Sequence, residues 1–186
     1  MKNAFAVSAL LVAAVLLSSP AQAQEKAKKT AKPPVSTSQA VLDQWNDIGR
    51  KLIAMAEDFP EDKYDFKPTP AQQTFGQRLL HAANVNYFFT NVALGQKPPS
   101  MEDADKQQYK TKADIAAFVK KSFADGAAAI KQTDMNKLVT DPFSKDQEHV
   151  SDFAYGFVEH SGEIYGQLAV YYRVAVLVPP ESRPKK

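Results

Sequence analysis

His81, His149 and His160 are the only imidazoles among the 186 residues, and the chain has no cysteine. Without cysteine, disulfides, thiolate catalysis and cysteine-ligated metals are excluded, leaving metal chemistry to imidazole and carboxylate groups. His81 sits in Leu79-Leu80-His81-Ala82-Ala83, and His160 in Val158-Glu159-His160-Ser161-Gly162-Glu163. Both have apolar neighbours at helical spacing, the setting in which facing helices of a bundle assemble metal sites. A lone histidine in such a place more often makes one structural hydrogen bond than ligates a metal. His149 lies eleven residues ahead of His160, before the helix that carries it. Tyr155, Tyr165, Tyr171 and Tyr172 with Arg173 either line a pocket or fill a core. No phosphate-cradling glycine loop, nucleophile elbow or haem attachment motif is present.

The elements that must position these residues are helical. Val41, Trp45, Ile48, Leu52, Met55 and Phe59 recur at spacings of 4, 3, 4, 3 and 4, a single apolar stripe that Pro60 stops. Ser36 with Gln39 and Thr74 with Gln77 read as capping boxes, each satisfying free N–H groups at a helix start. Phe75, Leu79, Ala82, Val85, Phe89 and Val92 form a second stripe ending near Gly95. A third helix is expected from about Thr111 to Thr133, with Ile115, Phe118 or Val119, Ser122 or Phe123, and Ile130 facing inward. Gly126 and the alanines after it point to close helix approach. The last stripe is Phe153, Phe157, His160, Ile164, Leu168, Tyr171 and Ala175, stopped by Pro179-Pro180, with Gly162 and Gly166 again reading as sites of close approach. Residues 60–73, 96–110 and 134–150 read as polar or proline-bearing connectors. No segment alternates with period two, so no sheet is expected. Four amphipathic helices of roughly 20–27 residues make an all-α four-helix bundle.

The N-terminus has a different character. Lys2 precedes an apolar run from Phe5 to Leu17, broken by Ser18-Ser19-Pro20 and followed by Ala21-Gln22-Ala23. The run of about 13 residues is short of the roughly 20 that span a bilayer. Residues 1–23 therefore read as a secretory signal peptide cleaved between Ala23 and Gln24. The expected mature protein is periplasmic or secreted and has no transmembrane segment. Of the net charge of +2, Lys2 carries +1, residues 24–37 carry +3 and residues 181–186 carry +2, which leaves −4 for residues 38–180. The first of these stretches reads as a flexible basic linker and the last as a basic tail. A mildly acidic folded part argues against a nucleic-acid partner, which needs a basic face.

The connector Pro60-Glu61-Asp62-Lys63-Tyr64-Asp65-Phe66-Lys67-Pro68 and Thr74-Phe75-Gly76-Gln77-Arg78-Leu79-Leu80-His81 resemble the DinB superfamily. So does His160-x-x-Glu163-x-Tyr165-Gly166-Gln167-Leu168, with Tyr171-x-Arg173 and Val178-Pro179-Pro180 after it. The resemblance covers residues 38–180. It implies an up-down-down-up bundle that often forms homodimers, and a family in which some members are thiol transferases. It also implies a divalent metal held by three histidines, one on the second helix and two on the last helix at i and i+4. His81 and His160 match two of these, and the third position is Ile164. Glu163 is the nearest carboxylate substitute, but it points about 100° away from Ile164 around the helix. A divalent ion such as zinc or nickel is therefore expected to bind only weakly.

The leading expectation is an exported, non-catalytic binding or structural protein of the cell envelope, with no catalytic residue assigned. The alternative is a metal-dependent transferase or hydrolase using His81 and His160 with Glu163 or water. A small-ligand binder using the former metal pocket is the third reading.

Overall fold

The computed structural model describes residues 34–100 and 108–184. The expected signal peptide, its Ala23/Gln24 junction and most of the basic linker lie outside the described residues. Within those residues, no helix is long and apolar enough to cross a membrane.

Four helices form where the stripes place them: α1 Thr37–Asp58, α2 Phe75–Ala93, α3 Lys112–Gln132 and α4 Val150–Val174. Their starts are set by side-chain caps. Thr74 and Gln77 make the full reciprocal box at α2, and Thr111 and Asp114 make one at α3. At α1 only half of the expected box forms. Ser36 accepts the Gln39 N–H at 3.2 Å, while the Gln39 amide donates to Asp43 instead. Each such cap stabilises its helix by about 1 kcal/mol.

Helix directions follow from what meets at one end of the bundle. Phe59, just past α1, stacks on Phe75 at the start of α2 at 3.8 Å, and meets Tyr172 near the end of α4 edge-on at 4.8 Å. The Lys112 ammonium at the start of α3 donates to the Phe59 carbonyl at 2.8 Å. So α1 and α4 run one way, α2 and α3 the other: an up-down-down-up path. Both α1 and α2 pack against α3 and α4, so the helix pairs α1/α2 and α3/α4 lie across the bundle from each other. The connectors after α1 and α3 are long because each must cross an end of the bundle. Tyr64 and Phe66 of the first connector pack onto the end cluster, where the Tyr64 hydroxyl donates to the Ala56 carbonyl.

A close helix contact joins α1 and α3. Trp45 is fully buried, donates its indole N–H to the Phe123 carbonyl at 2.9 Å, and lies against Gly126. A Cβ at Gly126 would sit 2.1 Å from the Trp45 ring, so the expected close approach is there. The same reading fails at Gly162 and Gly166, where an added Cβ would meet nothing within 4 Å. Those two glycines face outward on α4, and no described helix covers them.

The expectation of no sheet is also corrected. Residues 134–150 contain a two-stranded antiparallel ribbon, β1 Leu138–Thr140 and β2 Gln147–His149, with Leu138 opposite His149 and Val139 opposite Glu148. Three-residue strands are too short to display an alternating pattern, which is why the segment read as a plain connector. Val139 is the one side chain of β1 that is buried. The ribbon runs directly into α4, with Val150 and Ser151 donating back to the carbonyls of Lys137 and Met135.

At the other end of α4 the chain is tied down further than a free basic tail would be. Arg183 grips the Asp58 carboxylate with both guanidinium nitrogens at 2.7 and 2.6 Å, and Glu181 pairs with Arg50 at 2.6 and 3.0 Å. Arg183 holds the Asp58 carboxyl below the usual carboxylate range. Exposed pairs of this kind are largely screened by solvent and contribute little to stability.

Candidate functional site

His81 leaves the middle of α2, and His160 the middle of α4. Because those two helices pack together, the two imidazoles meet with ring centroids 5.3 Å apart and planes inclined at 69°. The sequence-predicted pair is thus brought together. Nδ1 of His160 lies 3.9 Å from the Glu163 carboxylate, too far for a hydrogen bond. Its Nε2 is buried and has no partner.

Burial first, then the neighbouring His81, push the His160 pKa below its ordinary value; Glu163 opposes them, and the Arg78 guanidinium adds a smaller push downward. The sign for stability follows. A histidine whose folded pKa is depressed contributes stability above the unfolded value of about 6.5, and this is lost as pH falls through the folded pKa. His160 should therefore titrate below an ordinary histidine in an NMR experiment on the ring protons. The denaturation midpoint should fall on acidification below about pH 6.5, more steeply in wild type than in His160→Gln. A ring that titrates at or above that value would contradict the assignment.

The third position does not fit a three-histidine metal centre. Ile164, one turn beyond His160, is 1% exposed and belongs to the apolar core. The Glu163 side chain is 65% exposed, with its carboxylate 3.9 Å from Nδ1 of His160. The His149 Nδ1 is taken up by the Asn136 carbonyl at 2.8 Å. Among the described residues, no three His, Asp or Glu side chains are grouped to hold a metal ion. Nor do the tyrosines join the site: Tyr171 and Tyr172 belong to the aromatic core, and Tyr155 is exposed.

What the histidines do share is a cleft of about 460 Å³. His81 and Val85 of α2 form one wall; Phe153, Gly156, Phe157 and His160 of α4 form another. Asp152 opens the first turn of α4, Glu148 comes from β2, and Asp141 and Phe143 come from the turn between the strands. Phe143 stacks on Phe88 at 5.0 Å although it is 60% exposed. Sequence reasoning missed the four residues Asp141, Phe143, Glu148 and Asp152. The one available signal was Phe143 itself, a large aromatic stranded in a polar connector.

A model of the DinB superfamily matches residues 44–168, two thirds of the chain. The chain belongs to the DinB superfamily. Among solved structures it is similar to YfiT from Bacillus subtilis, described as a probable metal-dependent hydrolase with an unusual four-helix bundle topology. The TM-score is 0.58 at 13% identity, over 80% of this chain and 94% of that one. At that identity the likeness shows the fold alone. No curated protein matches this sequence. Of the three ligand positions expected from the resemblance, the structure brings His81 and His160 together and places Ile164 in the core.

Proposed function

We propose that this DinB superfamily member is an exported, non-catalytic binding protein that holds a small organic molecule in the His81–His160 cleft. The observation that carries this reading is the cleft itself: an aromatic-walled space of ligand size lined by both histidines, beside which His160 keeps a buried Nε2 with no hydrogen-bond partner among the described residues. A buried polar atom without a partner costs about 1–3 kcal/mol, which a ligand hydrogen bond would offset. Ile164 supports binding over metal catalysis, because an alkyl side chain offers no lone pair where the family's third ligand stands. Export is supported by the Ala21-Gln22-Ala23 pattern, so the secreted protein should have the intact mass of a chain starting at Gln24.

A fragment screen read by NMR tests the binding role. Hits should move the resonances of His160 and Phe157 and raise the melting temperature, and His160→Ala should weaken them about tenfold. A second reading, a metal-dependent hydrolase or transferase using His81, His160 and Glu163 or water, draws on the imidazole pair and on the similarity to YfiT. It would displace the first if untagged protein carried one equivalent of tightly held metal that His160→Ala abolished.

A further inference from the structure

Which chemical class the cleft takes can be read from its charge. We propose that it is built for an organic cation, a protonated amine on an apolar body, with the amine at Glu148 and Asp152. This rests on the binding reading above and deepens it.

The cleft's lining contains three carboxylates and no lysine or arginine. Asp141 is already used: it accepts the Phe143 N–H at 2.7 Å, and backbone donors in the turn hold its carboxyl below the usual range. Glu148 and Asp152 are not used in this way. Among the described residues, neither has an ion pair or a hydrogen bond to its carboxylate. Asp152 gains some support from the positive end of α4, but Glu148, half-buried on β2, has no such compensation. The strand register explains its aim. Glu148 stands opposite Val139, whose side chain is buried, so the pair shares the face of the ribbon turned toward the bundle. A carboxylate directed inward without a counter-charge favours a cation arriving from outside.

Two independent features narrow the cation to an organic one. The described residues offer no three-ligand arrangement for a metal ion. The walls between the carboxylates and the histidines are instead aromatic. Phe143, Phe153 and Phe157 present ring surface, a favourable neighbour for both an apolar body and an ammonium group. At the far side the cleft is lined by the His81 and His160 rings. An anion is disfavoured because it would meet the carboxylates with no cationic side chain lining the cleft, and burial already holds His160 toward its neutral form.

Three matched probes test the inference on the mature chain: 2-phenylethylamine, 2-phenylethanol and 3-phenylpropionate, titrated calorimetrically at low salt and near neutral pH, with parallel NMR spectra. The amine should bind at least about tenfold tighter than the carboxylate, and should weaken as salt is added. Glu148→Gln combined with Asp152→Asn should reduce amine affinity about tenfold while leaving the alcohol within about twofold. Circular dichroism and melting of the double variant establish that it folds. If the alcohol or carboxylate seats in the cleft as tightly as the amine, or the double variant binds the amine undiminished, the cation inference is wrong and the binding reading stands. If no probe at millimolar concentration moves the His160 or Phe157 signals, both fail.

Discussion

Ile164→His should tighten zinc or nickel binding by ten- to a thousandfold, about 1.4 to 4 kcal/mol for one added ligand. His160 and position 164 leave α4 one turn apart on one face, and the His81 ring already stands 5.3 Å from that of His160. The substitution adds a third imidazole to a pair that the fold holds in place without it. It also carries a packing penalty, because Ile164 is 1% exposed and imidazole is polar. The metal-free variant should therefore be less stable than wild type by about 1–3 kcal/mol, and added metal should restore stability through mass action. Wild type should bind in the micromolar range or weaker, as two histidines without a third ligand do. Calorimetric titration of both proteins after chelator treatment measures the difference. If wild type already binds one equivalent tightly through His160, the non-catalytic reading gives way to the metal-dependent one.

Gly126→Ala and Gly162→Ala should change stability in opposite directions. At Gly126 the new Cβ would overlap the Trp45 ring at 2.1 Å, and that ring is pinned by its indole hydrogen bond and by contacts with Phe89 and Phe123. Overpacking against a fixed aromatic should cost about 1–3 kcal/mol or more. Gly162 lies inside α4 with open space around it, so alanine there removes only the conformational freedom of glycine in the unfolded chain. A gain of about 0.5–1 kcal/mol is expected, and Gly166→Ala should behave alike. Urea denaturation of the three variants decides it. An unchanged midpoint for Gly126→Ala would mean that α1 and α3 can separate to admit the methyl, and that this contact is not what fixes their spacing.

Much of this architecture was written locally. The stripes from Val41 to Phe59 and from Phe75 to Val92 mark their helices because burial of one face imposes a period near 3.6. Thr74 with Gln77 marks a helix start because the unpaired N–H groups there need acceptors within three residues. The identity of residue 164 was likewise legible, since an isoleucine cannot be a ligand wherever the fold places it. Other features depend on what arrives from elsewhere in the chain. Gly126 and Gly162 are the same residue in the same kind of helix, yet one is covered by Trp45 of α1 and the other by none of the described residues. Phe143, Glu148 and Asp152 come together with His81 and His160 only because a ribbon too short to leave a sequence pattern folds back beside α4. Residue types and spacing determined the helices, their caps and the apolar residue at position 164. The tertiary structure alone decided that the two remaining histidines share an acidic, aromatic-walled cleft, because its walls come from elements far apart in sequence.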